Sequence, residues 1–523
     1  MLDMSEDVRR DKVPENQRYS YKLIYYCNHA RTFKEQTVCS MLGRYSRSPQ
    51  YTTMSVEDSN GVTENVTLRR ARRAVRVFQL GVFKENSISI DKLDDVTMHK
   101  IAFSASYEAI SSGRKTGGAD GIRPTWFRED KTRLSDLGRE VLLYFAGRVK
   151  HHFAKCRMCP IPKKDGTVRM LSVPNIADNA RINCLVALVT PLAERLFQEV
   201  WEESDRRFLV SGSRIKHGVG TAISCLKQLH KRIGRAYKAH IIFCDIASCF
   251  PSIPYKLVEY VLTEINVPVW VRSEILKASK VFMIGNPQRT SNKKGLPQGN
   301  PISPLICNIV VTFLLRKYIV HSKLGAISYL DDLVVVCPEG VNPQHVLADL
   351  SRCLDRFGSM KVGMTLKDAK TEIISGQRRS NARWLGVDVW LRPSTKWRTK
   401  ATSIKFSLPS NYIADLVSKC SQVIRAHKRK HRKRLWRMEP EKLVRKWQPI
   451  ILGSVNYFGL FMNMYHVKGV LFKRLVWRLN VYYLGDKYNS RAFHDLLLLL
   501  IFEKLAYIKK TDAFDSTFGT LNQ

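Results

Sequence analysis

Acidic residues are scarce in this chain: 46 Asp and Glu stand against 86 Lys and Arg, a formal charge of +40 over 523 residues. An excess of that size goes far beyond what solubility requires and points to a polyanionic partner, with nucleic acid a better fit than a membrane surface. Long hydrophobic runs are missing. The apolar stretches around Ile302–Leu315 and Leu496–Phe502 fall short of the roughly 18–20 residues that span a bilayer, and no N-terminal signal pattern is visible. A cytoplasmic location with no membrane partner is therefore expected. Paired cysteines are missing too. Twelve lie scattered, which in a chain of this size suits reduced core residues rather than a disulfide framework. Cys156 and Cys159 form the only CxxC, and without a second Cys/His pair at convincing spacing no structural zinc site is expected. No internal repeat or low-complexity tract stands out. What remains is an ordinary globular composition, 44% apolar, long enough for a large core and two to four structural units.

Three stretches carry chemistry. In Ala326-Ile327-Ser328-Tyr329-Leu330-Asp331-Asp332-Leu333-Val334-Val335-Val336, two adjacent carboxylates lie between two strand-like apolar runs. Asp is depleted in strands, and side chains alternate between faces, so neighbouring acids make best sense at a hairpin turn that presents at least one to a cleft. Upstream, Ile241-Ile242-Phe243-Cys244-Asp245-Ile246-Ala247 reads as a buried strand interrupted by one acid, which costs stability unless paired or metal-bound. Between them, Gly295-Leu296-Pro297-Gln298-Gly299-Asn300-Pro301-Ile302-Ser303-Pro304 is a Gly/Pro-rich loop running into an apolar helix. Asn300 is placed to cap that helix, with Pro301 first and Pro304 still in the first turn.

In this order the three stretches resemble reverse transcriptases. Asp245 matches the first catalytic aspartate, the Leu296-Pro297-Gln298-Gly299 loop the segment that cradles template and nucleotide, and Tyr329-Leu330-Asp331-Asp332 the x-x-Asp-Asp box. Ile161-Pro162-Lys163-Lys164-Asp165-Gly166-Thr167-Val168-Arg169 resembles the fingers segment of group II intron and related bacterial enzymes, and Gly117-Gly118-Ala119-Asp120-Gly121-Ile122 the element before it. Gly363 to Thr371, Trp384-Leu385-Gly386, and Pro449 with Gly453-Ser454-Val455-Asn456-Tyr457-Phe458 are similar to the closing palm motifs and the intron-type thumb. The resemblance spans roughly residues 100–480 and is nearest the defence-associated, unknown-group enzymes. The lineage's usual Phe-Arg-Pro run is replaced by Val210-Ser211-Gly212-Ser213-Arg214, its Gly-Ser-Pro by Gly299-Asn300-Pro301, and its thumb Trp by Ser454. These departures count against intron splicing rather than against polymerisation.

The resemblance implies an α+β right-hand polymerase: a basic extension over 1–95, fingers over 96–240, a ferredoxin-like (split βαβ) palm over 241–392, and a helical thumb and C-terminal region over 393–523. It implies a catalytic set of Asp245, Asp331 and Asp332. These, with Ile246, would hold two Mg²⁺ ions, Mn²⁺ being a possible substitute. Lys163 or Lys164 and Arg169 would grip the triphosphate, and Phe250 would close over the sugar and select deoxynucleotides. Gln298 and Gly299 would set the template base and nucleotide, and Lys370 would lie near the triphosphate. For Gly299 a purely steric turn is the alternative, and for Lys370 a surface salt bridge. Two basic runs are candidates for a phosphate backbone: Arg69, Arg70, Arg72 and Arg73, and the acid-free stretch Arg425–Arg437 with Arg425, Lys428, Arg429, Lys430, Arg432, Lys433 and Arg434. The expected activity is RNA-directed DNA synthesis from dNTPs, yielding cDNA on a dedicated noncoding RNA in antiphage defence. Alternatives are an intron maturase lacking its nuclease, or an RNA-binding scaffold with a silent site. A homo-oligomer is compatible with the basic surfaces.

Overall fold

A computed structural model describes residues 53–57, 63–84, 90–111, 116–149, 152–163, 166–280, 283–284, 293–377, 380–393, 401–430, 440–459 and 474–475. The chain divides into two compact units, residues 1–373 and 374–523, so the boundary expected at 392 lies inside the second.

Within the expected extension, the described residues of the first unit are an antiparallel strand pair, Thr53–Glu57 and Thr63–Thr67, leading into a helix. Thr67 caps α1 (Leu68–Phe83) by accepting from the Arg70 backbone N–H at 3.3 Å. Its apolar stripe of Leu68, Ala71, Phe78 and Val82 is buried in the same core as α2 (Asp95–Ser111), α3 (Lys131–Phe145) and α4 (Ile176–Glu203). This part of the extension is thus integral to the unit. Before α4, β1 (Cys156–Pro162) and β2 (Val168–Val173) form an antiparallel hairpin with Ile161 opposite Arg169. After it comes the fully buried strand β3 (Phe208–Ser211).

The palm sheet follows: β4 (His240–Ala247), helix α5 (Ser303–His321), the hairpin of β5 (Gly325–Tyr329) and β6 (Asp332–Cys337), helix α6 (Pro343–Asp355), and β7 (Thr365–Leu366). The hydrogen-bonded order is β7-β4-β6-β5-β3, antiparallel throughout except for β3 beside β5. A β-α-β-β-α-β chain in which the later hairpin slots next to the first strand is the split βαβ arrangement, extended at one edge by β3. Buried runs such as Ile241–Ile246 and Leu333–Cys337 form strands here because each is largely enclosed by neighbouring strands and helices. Helix α5 is long and apolar enough, at 19 residues, to cross a bilayer by length and composition, and so longer than the apolar stretch read from the sequence. Two thirds of its most apolar window is buried, as in a core helix. It starts at Ser303, not after Asn300. The Asn300 carboxamide instead accepts from Ile302 N and donates to the Ala278 carbonyl, bracing the loop rather than capping the helix.

The second unit contains an antiparallel meander, β8 (Asn381–Trp384), β9 (Val387–Pro393) and β10 (Thr402–Ser407), then α7 (Tyr412–Lys430) and α8 (Pro440–Gly459). Among the described residues beyond 393, a strand therefore precedes the helices. Buried Trp447 on α8 donates its indole N–H to the Cys420 carbonyl of α7 at 2.9 Å, and Tyr457 donates to the Leu385 carbonyl at 2.6 Å.

Candidate active site

Strand pairing brings the three aspartates together. Asp245 on β4 lies opposite Asp332, the first residue of β6, and the backbone N–H of Ile246 donates to the Asp331 carbonyl at 2.9 Å. Leu330 and Asp331 form the two-residue turn between β5 and β6, a geometry that favours positive φ. Leu330 is held at φ +60°, unusual for a branched side chain. Ile246 has no donor atom in its buried side chain, so only its backbone carbonyl is available to a cation.

Burial and neighbouring negative charge raise two of the acids. Burial, then the Asp245 charge, pushes the Asp331 carboxyl above the ordinary range; burial, then Asp331 and Asp245, pushes Asp332 up to about 6. Lys370 answers part of that charge. Its Nζ lies 2.6 Å from Asp245 Oδ2, and this bond in turn raises the ammonium pKa. It reaches there because β7 pairs with β4 and the Lys367 N–H donates to the Asp245 carbonyl at 2.8 Å, leading into a short 3₁₀ turn, Asp368–Lys370. Arg169, exposed on β2, also lowers the cost of ionising Asp331. Clustered carboxylates are hard oxygen donors that fit a divalent cation such as Mg²⁺. Among the described residues, however, no three His, Cys, Asp or Glu converge at ligating distance, and Asp245 is bonded to Lys370.

The nucleotide-binding candidates fall into two groups. The loop at 295–299 bridges the turn after β4 and the β1–β2 hairpin: Gly295 N donates to Ile253 O, Leu296 N to Phe250 O, and the Gln298 carbonyl accepts from Ser172 N at 2.6 Å. Gly299, at φ +97°, passes so close that a Cβ would sit 2.6 Å from the Ser172 carbonyl oxygen, so the steric requirement is real. Phe250 is half-buried against the core. Lys163 is exposed at the hairpin tip, where its N–H donates to the Thr167 carbonyl at 2.7 Å; Lys164 lies outside the described residues.

The basic runs divide differently from expectation. Arg69, Arg70 and Arg73 are exposed on α1, but Arg72 is not. Four arginines within five successive helical positions cannot all face one way. Arg72 turns inward, pairs with Glu108 at 2.6 Å and stacks over Tyr107, so it is a structural ion pair rather than part of the exposed surface. Arg425 and Arg429 are exposed on α7, whose backbone also carries Lys428 and Lys430; Arg432, Lys433 and Arg434 lie outside the described residues. Sequence reasoning missed Ser172 as the anchor of the 295–299 loop and Asn308 as a fully buried amide in α5. The only signal for Asn308 is a lone carboxamide in an otherwise aliphatic run.

Residues 161–389 match the family described as reverse transcriptase (RNA-dependent DNA polymerase). That segment is a reverse transcriptase domain. Outside the family description, the chain is 22% identical over 269 residues to a Pol polyprotein of a type-1 R2 retrotransposable element from Nasonia vitripennis, covering 48% of this chain and 25% of that protein. It is 25% identical over 213 residues to the protein YkfC of Escherichia coli, covering 40% of this chain and 52% of that one. The reverse transcriptase domain thus sits in a chain spanning between a quarter and about half the length of these relatives. Among solved structures, telomerase from Candida albicans with a fragment of telomeric RNA aligns over 92% of this chain and 96% of its own at 12% identity and a TM-score of 0.38. Apo telomerase from Candida tropicalis aligns over 94% and 88% at 10% and 0.36. Likeness at that level carries no functional argument. All three aspartates and the 295–299 loop fall within the reverse transcriptase domain.

Proposed function

We propose that the chain is an RNA-directed DNA polymerase. The observation that carries this reading is the pairing of Asp245 with Asp332 beside the Asp331 turn, inside a segment that is a reverse transcriptase domain. Fingers (96–240), palm (241–392) and thumb (from 393) would divide the work. Asp245, Asp331 and Asp332, with the Ile246 carbonyl, hold divalent cations. When bound, two Mg²⁺ ions, or Mn²⁺ in their place, lower the pKa of a primer 3′-hydroxyl and neutralise the leaving pyrophosphate. Arg169 and Lys163 grip the triphosphate. Phe250 bars a 2′-hydroxyl, and Gln298 and Gly299 set the template base. Lys370, kept protonated by Asp245, donates a proton to the departing pyrophosphate.

The substrate is RNA template plus dNTPs and the product cDNA. We infer further that the template is a dedicated noncoding RNA and that the setting is cytoplasmic antiphage defence. The departures at Ser211-Gly212 and Ser454 support this over a splicing role. Exposed Arg69, Arg70 and Arg73 in the first unit, and separately Arg425 and Arg429 in the second, supply phosphate-binding groups. The test is to purify the chain with its bound nucleic acid, sequence it, add dNTPs and Mg²⁺, and sequence the product. One enriched RNA and cDNA complementary to it are expected. Enrichment of an excised intron would move the reading to a maturase, and a retained RNA with no cDNA would move it to a scaffold.

A further inference from the structure

The catalytic turn is buttressed from behind by buried polar groups outside the acidic motifs. β3 runs parallel to β5 with Ser211 opposite Tyr329, and Ser211 Oγ donates to the Ser328 carbonyl at 3.1 Å. Ser328 Oγ in turn donates to the Leu330 carbonyl at 3.3 Å. Gly212 follows at φ +79°, its N–H bonded to the His217 carbonyl at 2.7 Å. It lies flat against the turn: a Cβ here would stand 3.2 Å from Leu330 Cγ and from two atoms of the Tyr329 ring. The other side of Gly212 is held by Asn308, whose Nδ2 donates to the Gly212 carbonyl at 2.9 Å.

Asn308 makes this arrangement more than packing. It is fully buried in the second turn of α5, and its Oδ1 has no hydrogen-bond partner among the described residues. An aliphatic side chain would fill the same space without burying an unmatched acceptor. What the amide supplies in exchange is its donor to Gly212. Helix α5 begins directly after the 295–301 loop, and Ser303 Oγ ties it to the Pro297 carbonyl at 2.8 Å. The chain of interactions thus runs from the nucleotide-setting loop through α5 and Asn308 to Gly212, and from there to the residue immediately before Asp331.

We propose that Asn308 and Gly212 form a positioning clamp that couples the 295–301 loop to the Tyr329–Asp331 turn and fixes the Asp331 carboxylate during nucleotide addition. The clamp rests on the polymerase reading. Neither residue touches the reacting atoms. Each acts through Leu330, held at φ +60° between the clamp and the aspartate.

The test compares Asn308→Ala, Gly212→Ala and their double variant with wild type in single-nucleotide addition, in Mg²⁺ and in Mn²⁺, alongside RNA binding and thermal midpoint. Displacing a ligand by a fraction of an ångström is expected to lower the maximal rate in Mg²⁺ by ~10–100-fold. The apparent affinity for the dNTP should stay within about threefold. Because Mg²⁺ demands near-ideal octahedral geometry, the less exacting Mn²⁺ should recover most of the loss. The double variant should lose little more than either single one, since both act on one element. Leu330→Gly, which frees the turn without disturbing the core, should show the same Mn²⁺-recovered loss. Wild-type rates in these variants, or equal losses in both metals with a lowered thermal midpoint and no effect of Leu330→Gly, would overturn the clamp. If the wild type adds no nucleotide in either metal, the polymerase reading fails and takes the clamp with it.

Discussion

At Asp332, burial and like charge are costly. Its carboxyl, raised to about 6, holds a proton in the fold that the unfolded chain releases near 4. Between those values the folded state binds more protons, so the metal-free protein loses stability as pH rises through that window, by on the order of 2–3 kcal/mol. Asp332→Asn removes the charge and is expected to stabilise the metal-free protein by roughly 1–2 kcal/mol at pH 7 and by about half as much at pH 5. Denaturant titrations at the two pH values read this directly. An equal effect at both would mean that Asp332 is not crowded by its neighbours. At Lys370, replacement by Met keeps much of the aliphatic stem and removes the ammonium beside Asp245. Nucleotide addition should slow by ~10²-fold or more if the amine is the proton donor, with RNA binding unchanged. Phe250→Ala should admit ribonucleotides, read as the ratio of rNTP to dNTP incorporation.

Among the elements, the 295–299 loop is sterically exacting. Gly299→Ala would place a Cβ 2.6 Å from the Ser172 carbonyl at a φ only glycine adopts freely, so the loop must leave β2. Weaker dNTP binding, with the core and thermal midpoint little changed, is the expected outcome in a titration of the addition rate. The palm is legible in the sequence because buried apolar strands surround acids that have no other reason to be there. Asp245, Asp331 and Asp332 stand out without knowledge of the sheet. The buttress behind them does not. Asn308 and Gly212 are adjacent only through the fold, 96 residues apart in the chain, and no local pattern marks such a pair. The start of α5 is also hidden: Asn300 is a good cap by type, but it braces a turn three residues earlier because its amide reaches the Ala278 carbonyl. Arg72 shows the same limit on α1, where composition gives a basic run and only helical periodicity separates Glu108's partner from the exposed arginines.

Over the whole molecule, the charge of +40 governs affinity more than specificity. RNA binding should weaken steeply with salt, and Arg425→Glu with Arg429→Glu should reduce the slope of log affinity against log salt by about one for each phosphate no longer neutralised. Arg72→Gln should leave that slope unchanged and lower stability by roughly 1–2 kcal/mol instead, because its pair with the half-exposed Glu108 is partly screened. Domain limits are the least legible feature. Helix α1 joins the core of the first unit although its sequence resembles nothing around it, and the boundary between the units falls at 373 because β8–β10 pack as a separate meander.

The proposed function requires that these aspartates make DNA on RNA. The most direct measurement is incorporation of labelled dNTPs by the purified chain with its bound RNA in Mg²⁺, beside Asp331→Asn/Asp332→Asn protein shown to retain the same RNA. Labelled DNA from the wild type alone, complementary to that RNA, is the predicted result. No DNA from either protein in Mg²⁺ or Mn²⁺, with added primers and across salt concentrations, would contradict it.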